Sequence, residues 1–179
     1  MNTARHSQTY RIATFLATIA VAVLLLKLLN WLPGAVQKDN LRKYHSVDEA
    51  RTALKIKRIY TPTYFPEHIQ WPPIEIFAQK RPFLMVAMHF LHATNRELAL
   101  SIYQGEGRAL FEPQPVWDVL YVRKESSVLV NGREGRLVLA VCQGNRRCNR
   151  LSWNADGLGF TIIADDSPEQ ILKLAESMI

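Results

Sequence analysis

The sequence predicts an α+β protein: a single N-terminal transmembrane helix, then a mostly antiparallel β-sheet domain with a short N-terminal helix and a C-terminal amphipathic helix. Three features predict this class: one long apolar run, a series of short β-prone runs separated by turn residues, and a C-terminal segment of helical periodicity. We expect a tail at residues 1–11, a transmembrane anchor at 12–32, a linker at 33–45 and one extracytoplasmic domain at 46–179.

The apolar run from Ile12 to Leu32 has the length of a membrane span. Its roughly 21 residues would form a helix about 31 Å long, which matches the hydrocarbon core of a bilayer. A cleaved signal peptide is the alternative, because Arg5 and Arg11 form a basic region before the run. The run is longer than a signal-peptide apolar region, and Pro33-Gly34-Ala35 is a poor cleavage site, so an uncleaved anchor is favoured.

The two cysteines indicate which side of the membrane the domain occupies. Basic residues flank both ends of the apolar run, so the positive-inside rule alone does not orient it. Cys142 and Cys148 have the spacing of a disulfide that closes a β-hairpin loop, although two free thiols in a cytoplasmic hairpin are the alternative. Because disulfides persist in oxidising compartments, we expect a single-pass protein of a bacterial inner membrane with its C-terminal domain in the periplasm.

Helix-capping residues and proline positions predict the secondary structure of the first half of the domain. Ser46 and Glu49 form a capping box at the start of a helix that ends near Lys55. The proline- and aromatic-rich stretch from Tyr60 to Trp71 is expected to be extended and to pack over the sheet. The strands are expected at residues 74–78, 83–90, 97–104, 116–123, 128–130, 136–142, 148–153 and 158–164.

Turn residues and helix-capping residues predict the secondary structure of the second half of the domain. Asn131-Gly132 and Asp156-Gly157 are typical of tight hairpin turns, because both tolerate positive φ. Ser167 and Pro168 predict the N-cap and first residue of the last helix. The apolar stripe of that helix should pack on the sheet and consists of Ile171, Leu174, Ala175 and Met178.

No residues in the sequence have the spacing of a catalytic, cofactor-binding or metal site. His89 and His92 are expected on opposite faces of a strand, and Asp165-Asp166 fits the start of a helix. Gly105-Glu106-Gly107 lacks the context of a nucleotide-binding loop. We therefore expect no enzyme and no cofactor. An enzyme would need a site assembled from residues distant in the sequence, drawn from His45, His68, His89, His92, Asp118 and Glu125.

The net charge of +6 does not indicate a nucleic-acid-binding protein. Three of these charges come from Arg5, Arg11 and Lys27, which stand in the first 35 residues without any acid. The remaining excess is modest and dispersed, which fits a solvated surface or contact with anionic lipid headgroups. The expected partners are the lipid bilayer and a membrane or envelope protein, and no nucleic acid.

Several short motifs follow one another along the domain: YFP at 64–66, NGREG at 131–135, LSW at 151–153, GLGF at 157–160 and SPEQILKLAES at 167–177. In this order they resemble the bacterial domain-of-unknown-function family 4367, over roughly residues 46–179. The resemblance implies a fold outside the membrane behind one anchor helix, and it implies no reaction. The disulfide prediction rests on spacing alone.

The functional prediction is a non-enzymatic accessory or binding module that acts through a protein partner or a lipophilic ligand. A concave sheet covered by a helix and the Tyr60 to Trp71 segment would offer an apolar groove for such a ligand. The alternative is an envelope sensor that signals through its transmembrane helix. An envelope enzyme is the third hypothesis.

Overall fold

The computed structural model of the protein describes residues 16–27, 41–106 and 117–178. The chain divides into two compact units, Met1–Asp39 and Asn40–Ile179. In the first unit residues 16–27 are helical, and the remainder of the predicted anchor lies outside the described residues. Within the described ranges, no helix is both long and apolar enough to cross a membrane.

The second unit is an α+β domain with a mostly antiparallel sheet, as the sequence predicts. Its two helices in the described residues are α1 (Val47–Leu54) and α2 (Pro168–Glu176), and a 3₁₀ turn spans Gln143–Asn145. The strands are β1 (Arg42–Tyr44), β2 (Glu75–Gln79), β3 (Met85–Leu91), β4 (Leu98–Glu106), β5 (Val119–Val130), β6 (Arg133–Cys142), β7 (Arg146–Arg147), β8 (Asn149–Ala155) and β9 (Leu158–Ala164).

The strands form one sheet in the order β1-β2-β3-β4-β9-β8-β6-β5, with the short β7 beside the end of β6. Neighbours in chain order make two antiparallel groups, β1 to β4 and β5 to β9. The pairing of β4 with β9 joins the groups, with Leu100 opposite Ala164 at one end and Glu106 opposite Leu158 at the other. The sheet is therefore continuous across a connection that is distant in sequence.

The two predicted hairpin turns are confirmed by their backbone angles. Asn131 and Gly132 have φ of 49° and 77° between β5 and β6. Asp156 and Gly157 have φ of 54° and 79° between β8 and β9. Consecutive positive φ values are those of the two-residue hairpin turn whose twist matches the flanking strands.

Both predicted helix starts are confirmed as well. The Ser46 hydroxyl accepts a hydrogen bond from the Glu49 amide at 3.1 Å, and the Glu49 carboxylate accepts one from the His45 amide at 2.8 Å. At α2, the Ser167 hydroxyl accepts from the Gln170 amide at 3.3 Å, and Pro168 is the first helical residue. Each cap satisfies amides that the first helical turn leaves without partners.

One side of the sheet, here called the covered face, packs against the helices and residues 56–74. Trp153 stacks on Phe160 with ring centroids 5.1 Å apart, and Tyr60 meets Phe160 edge-on at 5.3 Å. Phe65 contacts Phe90 at 5.3 Å, which confirms that the aromatic-rich stretch packs over the sheet.

The predicted stripe of α2 supplies three buried residues to this core, Ile171, Leu174 and Ala175. Core side chains thus fill the face where the sequence predicted a groove.

Two boundaries differ from the sequence prediction. The runs at 116–123 and 128–130 belong to one strand, since β5 continues from Val119 to Val130. β5 is an edge strand whose exposed polar middle, residues 123–127, hides its strand character in the sequence, and two register irregularities break its alternation. Residues 42–44, placed in the linker by the sequence, pair with β2 as β1.

We predict that Ser167→Ala lowers the free energy of unfolding by about 1 kcal/mol, because the Gln170 amide at the start of α2 loses its acceptor. Urea unfolding of the full chain in detergent micelles measures the change. Ser127→Ala is the matched control, since Ser127 is exposed on β5 and its change should stay within about 0.5 kcal/mol. Equal stabilities of the two variants would contradict the capping role.

Candidate functional site

The opposite side of the sheet, here called the groove face, carries a second and smaller apolar cluster. Its buried members are Ala87, Tyr103, Trp117, Ala140, Cys142, Cys148 and Ile163. This cluster exists because the central strands bury both of their faces: β3 is buried from Met85 to Phe90. Side chains alternate between the faces of a strand, so near-continuous apolar sequence requires cover on both sides.

A buried polar network lies within this cluster. The Trp117 indole N–H donates to the Ser101 hydroxyl oxygen at 2.9 Å, and His89 Nδ1 lies 2.9 Å from the same oxygen. Burial lowers the pKa of His89, and the negative charge of Glu75 opposes that shift only in part. The network holds Trp117 in place, and because Ser101 is fully buried, it offers no nucleophile to a substrate.

The two cysteines lie in the same cluster at disulfide-bonding distance, with Cα atoms 5.8 Å apart, which confirms the proximity that their spacing predicts. A loop this short is stabilised by its cross-link by about 2 kcal/mol on the chain-entropy estimate. The loop also presents Arg146, which donates to the Leu98 carbonyl at 2.7 Å and pairs with Asp165 at 3.3 Å. The loop is thereby fixed to both groups of strands.

Beyond the cluster, the described residues leave the groove face open, with a groove of about 810 Å³. β5, β6, β8 and β9 line it, with Trp117 beside them. The volume lies within the range of about 300–1,000 Å³ that is typical of small-molecule sites. This groove is several times larger than a second cavity of about 180 Å³ beside Tyr60, and we take it as the candidate functional site.

Strand register shows that the groove changes from apolar to polar along its length. At one end Val122 lies opposite Ala140, close to Val119 and Trp117. In the middle Val138 pairs with Arg150, which pairs with Ile163. Towards the other end the lining includes the polar residues Ser127, Arg136, Ser152, Thr161, Glu134 and Asn154, beside Gly135, Trp153, Gly159 and Phe160. The groove is therefore amphipathic along the strand direction.

The polar end contains an ion pair that is satisfied internally. Arg136 holds Glu125 with two contacts of 2.6 Å, one from Nε and one from Nη2. Hydrogen bonding to Arg136 lowers the pKa of the Glu125 carboxyl, so this group stays ionised at neutral pH. Ser152 and Thr161 form a hydroxyl pair 3.0 Å apart on the floor. The arrangement suits orientation of a polar head and supplies no free proton donor at the ion pair.

The structure brings together only two of the six residues from which a dispersed catalytic site was predicted to be drawn. His68 and His92 stack with ring centroids 5.2 Å apart, and His68 Nε2 lies 3.0 Å from the Asp166 carboxylate. His89 lies in the buried network, and His45 is exposed beside Glu49. Among the described residues there is no group of three His, Cys, Asp or Glu side chains that could hold a metal ion.

The predicted role of Asp165 and Asp166 at the helix start is confirmed in part. Asp166 accepts a hydrogen bond from the Ser167 amide at 2.8 Å, next to the N-cap of α2. Asp165 instead pairs with Arg146 of the disulfide loop. The two neighbouring carboxylates thus serve different contacts, and neither lines the groove.

Sequence reasoning missed the groove. Its lining comes from four strands, β5, β6, β8 and β9, and the lining side chains meet only when these strands pair in register. The available signal was the pair of small hydroxyl residues, Ser152 and Thr161, each in the middle of its strand. That signal gains meaning only when the register places the two side chains next to each other.

We predict that acidification destabilises the protein partly through His89. Because burial lowers the pKa of His89, its contribution to stability is complete above the ordinary histidine pKa of about 6.5 and declines as the pH falls below that value. His89→Asn, which can keep a hydrogen bond to Ser101, should therefore lose less stability than the native chain between about pH 7.5 and pH 5.5.

Urea unfolding at the two pH values measures this difference. Ser127→Ala is the control, because Ser127 is exposed and carries no titratable group, so this variant should keep the native pH dependence. If His89→Asn and the native chain lose equal stability on acidification, His89 does not titrate as its burial implies.

The groove is thus an amphipathic site on a rigid sheet. Comparisons of the chain with protein-family models, with curated proteins and with solved structures find no match. The size and chemistry of the groove are therefore the basis for a functional proposal.

Proposed function

We propose that the protein is a non-enzymatic binding module, anchored in a bacterial inner membrane by its N-terminal helix, with its domain on the extracytoplasmic side. The groove face takes a lipophilic ligand. The observation that carries this proposal is the groove of about 810 Å³, apolar at the Val119–Val122 end and polar at the end of Ser152 and Arg136. Such a lining fits an amphiphile, with its acyl chain along the apolar end and its head at the polar end.

The titratable side chains described above already have partners within the protein, which supports a binding function over a catalytic one. His89 is buried and hydrogen-bonded to Ser101, and His68 contacts Asp166 away from the groove. Glu125 and Arg136 satisfy each other. General acid–base chemistry needs a group positioned to exchange a proton with a substrate, and these groups already serve the fold.

The placement outside the cytoplasm is supported by the cysteine pair and by the apolar run at 12–32. Both sulfurs are buried at bonding distance in the smaller apolar cluster, and such a bond persists in an oxidising compartment. The resemblance to domain-of-unknown-function family 4367, with its domain behind one anchor helix, agrees with this placement.

Thiol labelling in intact bacterial cells tests the placement. We expect a membrane-impermeant maleimide to modify Cys142 and Cys148 only after reduction, on a chain whose mass still includes the N-terminal residues. Labelling without reduction would contradict the disulfide. Thiols that react only after cell lysis would place the domain in the cytoplasm.

Photolabelling tests the ligand proposal. With the full chain in proteoliposomes, a fatty acid that carries a diazirine in its acyl chain should label the peptides containing Val138 and Ile163 on the groove floor. Val122→Arg places a cation in the apolar end, so labelling of these peptides should fall several-fold. Peptide mass spectrometry after irradiation measures the yield.

Leu129→Arg is the matched control for this experiment. Leu129 and Val122 lie on the same strand and are similarly exposed, at 61% and 55%, but only Val122 lines the groove. The control should retain native labelling of the floor peptides. Absence of floor labelling in the native chain, or an equal loss in both variants, would refute the lipophilic-ligand proposal.

A further inference from the structure

The first part of β5 exposes four consecutive apolar side chains, which form what is here called the apolar corner of the domain: Val119, Leu120, Tyr121 and Val122. Their exposed fractions are 49%, 58%, 48% and 55%. A regular strand of a half-buried sheet would turn alternate residues into the core. Here the register shifts between Val119 and Tyr121 and again between Val122 and Lys124, so consecutive side chains remain outside.

Cations surround the apolar corner. Arg123 and Lys124 follow it directly and are exposed. Arg147 joins them across the sheet, because Tyr121 pairs with Val141 and Val141 pairs with Arg147. The neighbouring acid, Asp118, accepts a hydrogen bond from the Gln143 side-chain amide. Among the described residues, these three cations border the patch, and the nearby carboxylate of Glu125 is already paired with Arg136. This corner therefore has a local excess of positive charge.

We propose that the apolar corner docks onto an anionic lipid surface, with Leu120 and Tyr121 in the interfacial layer and the three cations among the headgroups. An apolar patch with an aromatic residue and a basic border is the combination that binds the interface of anionic membranes. The long stems of Arg123 and Lys124 can lie along the apolar region while their charges stay with the phosphates. This inference rests on the proposed function, in which the domain is tethered beside a bilayer.

A second copy of this chain fits the apolar corner less well. In a two-fold symmetric contact the same patch meets itself, so Arg123, Lys124 and Arg147 of one copy would face the same cations of the other. The two register shifts also interrupt the regular row of amides and carbonyls that an added strand would need. Charge and backbone geometry both favour an anionic surface as the occupant.

Docking at this corner would bring the groove to the bilayer. Val119 and Val122 belong to the apolar corner and also line the apolar end of the groove. An acyl chain could then pass from the lipid layer into the groove without crossing water. The ligand source in this arrangement is the membrane itself.

Depth-dependent fluorescence quenching tests the docking in the full chain. Leu120→Cys labelled with the fluorophore NBD reports on the corner, and Leu129→Cys with the same label is the control at the far end of β5. The two side chains have similar exposure, at 58% and 61%. Proteoliposomes are made from phosphatidylcholine alone or with phosphatidylglycerol, and each contains a nitroxide-labelled lipid as the quencher.

We expect several-fold stronger quenching at position 120 than at position 129, and only in vesicles that contain phosphatidylglycerol. The double substitution Arg123→Gln and Lys124→Gln should reduce the quenching at position 120 to the level of the control. Equal quenching at both positions would overturn the proposal. So would a blue shift at position 120 that depends on protein density and not on lipid charge, which would indicate a second copy.

The two proposals can fail separately. If position 120 is not quenched while the Val138 and Ile163 peptides still take up the photoactivatable fatty acid, the ligand proposal survives and the docking is refuted. If quenching occurs and the floor peptides are not labelled, the domain docks on membranes and the groove has another occupant.

Discussion

The pairing of β4 with β9 is the contact on which the rest of the domain depends. Leu100 to Glu106 lie opposite Leu158 to Ala164, although more than fifty residues separate them in the chain. Within each group, paired strands follow one another along the chain, but neither group would present a wide sheet without the other. This pairing places apolar side chains of both strands on both faces of the sheet. Ile102 and Ile162 lie on the covered face, and Tyr103 and Ile163 lie on the groove face.

Because the central strands bury side chains on both faces of the sheet, each face must be covered by other residues. On the covered face α1, α2 and the aromatic-rich stretch supply this cover, and the core there is complete. On the groove face Trp117 and the disulfide loop cover the centre, with Ser101 and Arg146 fixing their positions. Towards β5, the described residues that cover this face end before the sheet does. The groove is the uncovered remainder, which explains why its apolar end begins beside Trp117.

The edge position of β5 gives the domain its exposed chemistry. Bulges turn consecutive apolar residues outward at one end, whereas Glu125 and Arg136 pair across β5 and β6 further along. An edge strand that exposes apolar side chains is a liability unless something covers it. Under the proposals above, the bilayer beside which the domain is anchored would provide that cover, and the cations around the corner match the charge of anionic lipids. Groove and corner share Val119 and Val122, so ligand binding and membrane contact would be physically coupled.

Local signals were enough to predict most of the elements, although not the short strands β1 and β7. The hairpin turns at Asn131-Gly132 and Asp156-Gly157 and the caps at Ser46 and Ser167 were predicted correctly, because each depends on backbone angles and hydrogen bonds within a few residues. The approach of Cys142 to Cys148 is local in the same sense. The long strand β5 was divided in the prediction, because its exposed, polar middle lacks the alternation of a half-buried strand.

The sequence by itself determined the α+β class, the antiparallel strands, the capped helices and the apolar stripe of α2. Tertiary structure alone decided which face of the sheet is filled, where the groove lies, and that His68 meets Asp166 while His89 is buried beside Ser101. The physical reason is that these features depend on how separate segments of the chain pair and pack with one another, as β4 does with β9. Register is set by the total burial of both sheet faces, and no single segment of sequence contains that information.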